Sequence, residues 1–75
     1  MSNTDRDDRM QLDGVVVESN KGVFKVQVND AHFVTARLGG RMKMHEIKVI
    51  IGDQVVVEVS PYDTSLGRIV KRMKL

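Results

Sequence analysis

The side chains in this sequence that could do chemistry are mostly cations. Arg37, Arg41, Lys43, Lys48, Arg68, Lys71, Arg72 and Lys74 crowd its second half, with His45 and Tyr62 among them. Guanidinium and ammonium groups pair with phosphate oxygens, and arginine can do so through two parallel hydrogen bonds. Residues 37–75 hold eight Lys/Arg against four Asp/Glu, a sum of +4, whereas residues 1–36 hold four against six, a sum of −2. Such an asymmetry points to a polyanionic partner on one part of the surface; a merely solubilising surface is the plainer alternative.

Other chemistries find little support. No Ser-His-Asp spacing or paired-carboxylate pocket can be identified. Gly39-Gly40-Arg41 lacks the Lys-Ser/Thr of a phosphate loop. There are no cysteines, so neither disulfides nor thiolate metal sites are available, and two histidines alone make a poor zinc site. His32 and His45 read as surface hydrogen-bonders. No enzyme activity, cofactor or metal is expected. The longest apolar runs are three residues, as at Val15-Val16-Val17, too short for a membrane span or a secretory signal. A cytoplasmic chain is expected.

The elements that must position these cations are strands. Thirteen Val and four Ile stand against four Leu and two Ala. Branching at Cβ restricts χ1 and suits a pleated surface. Residues 1–10 contain Asp5, Arg6, Asp7, Asp8 and Arg9 and read as a flexible tail; residues 11–72 form the domain, and residues 73–75 are expected to fray. The first strand is Leu12 to Glu18. Asn20-Lys21-Gly22 closes a hairpin, with Gly22 supplying a positive φ. The second strand, Val23 to Val28, points Phe24, Val26 and Val28 inward and Lys25 and Gln27 outward. The third, His32 to Leu38, buries Val34, Ala36 and Leu38 and exposes Phe33, Thr35 and Arg37. Arg41 to Ile47 predicts a short helix, since it has no Gly, Pro or β-branched residue before Ile47. Gln54 to Val59 forms the fourth strand with Val55, Val57 and Val59 inward. Pro61 to Ser65 reads as a loop, and Gly67 to Arg72 as the fifth strand with Ile69 inward.

One short helix cannot cover two sheet faces, so the sheet must close on itself. The fold class is all-β: a five-stranded OB-fold barrel with a short helix between strands three and four. An SH3-like barrel is the nearest competitor and usually lacks a helix there. OB barrels tend to bind through strands two and three and the adjoining loops. That places Lys21, Lys25, Gln27, Phe33, Thr35 and Arg37 with Arg41, Lys43, His45, Lys48, Tyr62, Arg68, Lys71, Arg72 and Lys74 on the candidate surface. With only Phe33 and Tyr62 as exposed rings, base-after-base stacking on a single strand is poorly served. A preformed, folded RNA read through phosphates and shape fits better. Phe33 is equally compatible with half-buried barrel packing, and Tyr62 with bracing its own loop.

Several segments resemble one family. Gly40-Arg41-Met42-Lys43, Ile47-Lys48-Val49, Gly52-Asp53-Gln54-Val55 and, most specifically, Pro61-Tyr62-Asp63-Thr64-Ser65-Leu66-Gly67-Arg68-Ile69-Val70 are similar to bacterial translation initiation factor one. The match runs from about Leu12 to Arg72. The resemblance implies a non-enzymatic OB barrel that binds the aminoacyl-tRNA site of the small ribosomal subunit. It would sit between the decoding-site rRNA helix, the neighbouring rRNA loop and ribosomal protein S12, displacing two stacked adenines. It would block premature tRNA access and act with initiation factors two and three. It would need no cofactor and no membrane, and would be a monomer when free. Carried onto this chain, the rRNA-binding residues are Arg37, Arg41, Lys43, His45, Lys48, Tyr62, Arg68, Lys71 and Arg72. Glu46 stands where the family more often has an aromatic or basic residue, and Lys43 where Arg is more usual. A cold-shock-type RNA chaperone and a purely protein-binding adaptor are the competing functions.

Overall fold

A computed structural model describes residues 9–73. Five strands and one short helix follow one another: β1 (Met10–Asn20), β2 (Val23–Asn29), β3 (His32–Leu38), α1 (Gly40–Met44), β4 (Gln54–Ser60) and β5 (Asp63–Met73). They form a closed barrel in the order β1-β2-β3-β5-β4. All pairings are antiparallel except β3 with β5, where Thr35 to Leu38 run beside Leu66 to Ile69. The OB-fold expectation therefore holds, with the helix between the third and fourth strands.

The valine-rich inward faces meet at the centre. Val26, Val34, Ala36, Val55, Val57 and Ile69 are fully buried, and Val16, Phe24 and Val59 nearly so. Met42 of α1 and Val49 of the following connection join the same cluster, so α1 plugs one end of the barrel. β1 must pair with β4 over Met10 to Val15 and with β2 over Val15 to Asn20. A bulge between Val16 and Glu18 makes that change of partner possible by bending the strand. Two glycines allow close strand approach. A Cβ on Gly14 would lie 2.5 Å from Val26 Cγ1, and one on Gly67 would lie 2.6 Å from the Glu58 carbonyl oxygen.

The turns follow local chemistry. Lys21 and Gly22 both have positive φ, at 51° and 84°, the signature of a two-residue hairpin turn that matches strand twist. Asn29 Oδ1 accepts from the Ala31 amide at 3.0 Å and so shapes the next turn.

β1, β2 and β4 end at Asn20, Asn29 and Ser60, one or two residues past the sequence reading, and other boundaries differ too. β1 starts at Met10, which pairs with Val59 and so belongs to the barrel rather than to a tail. The remainder of the tail, residues 1–8, lies outside the described residues. The helix spans Gly40–Met44 rather than Arg41 to Ile47, because Glu46 turns left-handed at φ 53°. The Glu46 amide then donates to the Lys43 carbonyl and the Ile47 amide to the Met42 carbonyl, closing the helix in a Schellman motif. β5 begins at Asp63 rather than Gly67. Asp63 Oδ1 takes both the amide and the hydroxyl of Ser65, so the turn-forming residues satisfy themselves while the backbone already pairs. At its other end β5 includes Met73, held beside Gln54, so fraying does not begin there.

Candidate nucleic-acid interface

Strand register decides which outward side chains become neighbours. Gln11 lies beside Glu58, Glu58 beside Arg68, and Arg68 beside Arg37, giving one row across β1, β4, β5 and β3. Within it Glu58 is the hub. Its Oε1 accepts from Arg68 Nε at 3.1 Å, Arg68 Nη2 at 2.9 Å and Arg9 Nη1 at 3.3 Å. The hydrogen bond from Arg68 outweighs the effect of burial and holds the Glu58 carboxyl below the ordinary glutamate range. Arg68 is thereby aimed along the barrel surface while half of its side chain stays in solvent.

The helix brings in the next cations. The Gly39 amide donates to the Ile69 carbonyl at 2.8 Å, tying the start of α1 to β5. Burial of Met42 fixes the roll of the helix. Arg41 then borders a cleft shared with Gly39, Gly40, Glu58, Arg68 and Val70. On its other flank, Arg41 joins His45, Lys71 and Arg72 around a second concavity whose remaining walls are Met42, Ile47 and Val70. An apolar floor rimmed by cations can take an unstacked base on the floor and its phosphates on the rim. Arg72 Nη1 also donates to the Lys48 carbonyl at 2.6 Å and so anchors the connection from α1 to β4.

Arg37, Arg68, Arg41, His45, Lys71 and Arg72 thus form one arc, which Lys48 reaches through its backbone. Two predicted residues fall outside it. Lys43 lies two positions from Arg41 on a helix, so the two side chains diverge. Tyr62, 87% exposed, caps the β4–β5 turn just before β5 begins and lines neither of the two concavities that Arg41 borders. Phe33 is 40% exposed, and Lys25 Nζ sits 5.4 Å from its ring centroid. Part of that ring is therefore already taken by the protein's own cation. The outer face of β2 and β3 offers less stacking surface than its one exposed aromatic suggests. Glu58 and Arg9 were absent from the predicted set. For Glu58 the signal was present, since Val55, Val57 and Val59 inward force it outward among the cations.

His32 Nε2 is 2.8 Å from the Thr64 carbonyl oxygen, a structural link between β3 and β5. Among the described residues, no cluster of three or more His, Cys, Asp or Glu is placed to hold a metal ion. No described helix is long and apolar enough to cross a membrane.

The family model described as translation initiation factor 1A / IF-1 matches residues 2–74. Among solved structures, the chain is similar to the solution structure of translation initiation factor one from the Wolbachia endosymbiont strain TRS of Brugia malayi. The identity is 31% and the TM-score 0.75, covering 89% of this chain and 80% of that one. The circularly permuted GTPase YloQ (16% identity, TM-score 0.74) and YjeQ from Thermotoga maritima (21%, 0.70) each match 87% of this chain but only 23% of their own length. These two share the barrel alone.

Proposed function

The chain belongs to the translation initiation factor 1A / IF-1 family, and from that premise we propose that it binds the aminoacyl-tRNA site of the small ribosomal subunit and blocks premature tRNA access. That it is a translation initiation factor follows from the family; the site and the mode of action are the proposal. The observation that carries it is the continuous arc from Arg37 and Arg68 through Arg41 to Lys71 and Arg72 at the end of the barrel plugged by α1.

Each cation in the arc can meet a phosphate of the decoding-site rRNA, and the concavity beside His45 can receive a base drawn from the stack. Unstacking costs a few kcal/mol, and charge-assisted hydrogen bonds at about 1.5–3 kcal/mol each offset it with two or three contacts. Lys43 and Lys48, exposed on the other side of the helix and in the connection after it, would reach further backbone. The factor lies between the decoding helix, the neighbouring rRNA loop and ribosomal protein S12, and acts together with initiation factors two and three. Exclusion of tRNA is steric; no bond is made or broken.

Neutralising about five phosphates gives a salt slope of about −4, so a fourfold rise in salt weakens binding to isolated small subunits on the order of a hundredfold. Replacing Arg41 and Lys43 together with Ala reduces the affinity at least about tenfold. Chemical footprinting locates the contact, with protection expected at the decoding site. Salt-insensitive binding, or protection elsewhere on the rRNA, refutes the reading. Equal affinity for random single-stranded RNA would favour a general RNA chaperone instead.

A further inference from the structure

A carboxylate in the wall of a phosphate-binding surface opposes the surface's own purpose unless it does something there. Glu58 is such a group. Its side chain is only 19% exposed, it borders the Arg41–Arg68 cleft, and it binds two donors of Arg68 on one oxygen. Two effects follow. The Nε and Nη2 donors are directed at Oε1, so the guanidinium plane is fixed and its Nη1 side is left for an outside acceptor. At the same time one positive charge is cancelled locally, which weakens attraction for any polyanion that merely passes by.

We propose that Glu58 is a specificity-determining, positioning residue of the RNA-binding face, favouring a phosphate held at one fixed place in folded RNA over the mobile phosphates of an unstructured strand. The proposal rests on the RNA-binding reading above and adds to it a source of discrimination. A rigid acceptor gains from a pre-aimed arginine, because less side-chain freedom is lost on binding. A flexible strand can follow a mobile arginine anyway, so it gains little from the aim and loses from the negative charge. Arg9, the third donor on the same oxygen, helps to hold the carboxylate in place.

The test uses the full chain with Glu58→Gln, which keeps an acceptor oxygen and removes the charge. Affinity is measured for isolated small subunits and for random single-stranded RNA across a salt series. The expected result is several-fold tighter binding of random RNA, with a salt slope steeper by about one. Binding to subunits is unchanged or weaker, so the preference for subunits falls about tenfold. In an Arg68→Ala background Glu58→Gln should no longer weaken subunit binding and should tighten both RNAs alike, since the positioning effect on folded RNA acts through Arg68 while the loss of negative charge does not. With Arg68 in place, an equal change for both RNAs, or no change for either, overturns the proposal. Should Glu58→Gln not fold, as judged by its thermal transition, Arg68→Lys supplies the same comparison. It keeps the charge and loses the directed edge, so subunit affinity should drop while random-RNA affinity holds; equal loss for both refutes the idea. A wild-type protein with no preference for subunits would instead count against the ribosomal reading.

Discussion

Glu46 shows how a single side chain can serve neither stability nor charge. It occupies the left-handed position that ends α1, at φ 53°. A non-glycine residue there costs about 1 kcal/mol, of which a glycine recovers part, since glycine also raises the entropy of the unfolded chain. Its carboxylate is exposed in the same short segment as Lys43, His45 and Lys48. Glu46→Gly should therefore stabilise the protein by about 0.5 kcal/mol, raising the melting temperature by about 3 °C, and also tighten RNA binding. A thermal melt alongside a binding titration checks both. A drop in melting temperature would show that the Glu46 side chain makes a contact worth more than the strain of its backbone.

At the scale of elements, Lys71 and Arg72 are adjacent on β5 but have different duties. Lys71 is exposed, whereas Arg72 reaches across to the Lys48 carbonyl and ties the α1–β4 connection to the barrel. Lys71→Ala should weaken RNA binding and move the melting temperature by no more than about 3 °C. Arg72→Ala should weaken binding and also cost about 1 kcal/mol, lowering the melting temperature by about 5 °C. Equal melting temperatures for the two variants would remove the tether from the account. Such pairings also mark the limit of what was legible in the chain. Alternation alone placed Val26, Val34, Val55, Val57 and Ile69 inside and Arg37 outside, and all of them lie so. The Glu58–Arg68 pair was hidden by register. Counting back from Ser60 beside Asp63 would set Glu58 against Ser65, but the irregularity between Val59 and Ser60 moves its partner three residues on, to Arg68. The end of the helix was hidden because glycine is the usual sign of a left-handed stop, and here that position is Glu46. The divergence of Lys43 from Arg41 follows from helical geometry once the helix exists, but its roll is set by burial of Met42, a contact made only in the closed barrel.

For the whole molecule, the forces that hold the fold and those that hold RNA are of different kinds. The core is apolar throughout, with no buried polar or charged residue among those described. Each described ion pair has at least one partner more than 40% exposed: Arg9 at 43%, Lys25 at 46% and Arg68 at 49%. Exposed pairs contribute from nothing to about 1 kcal/mol each and are screened by salt. Valine and isoleucine burial is not screened, so the barrel should be nearly indifferent to ionic strength. RNA binding through the cationic arc should not be, because each phosphate neutralised releases counterions. Raising salt from about 0.05 M to about 0.5 M should move the melting temperature by no more than about 3 °C, while affinity for small subunits falls about ten-thousandfold at the slope argued above. Paired melts and sedimentation titrations over one salt series measure the two together. If stability and affinity declined in step, the surface charges would be holding the barrel closed, and the division between an apolar scaffold and a cationic working face would fail.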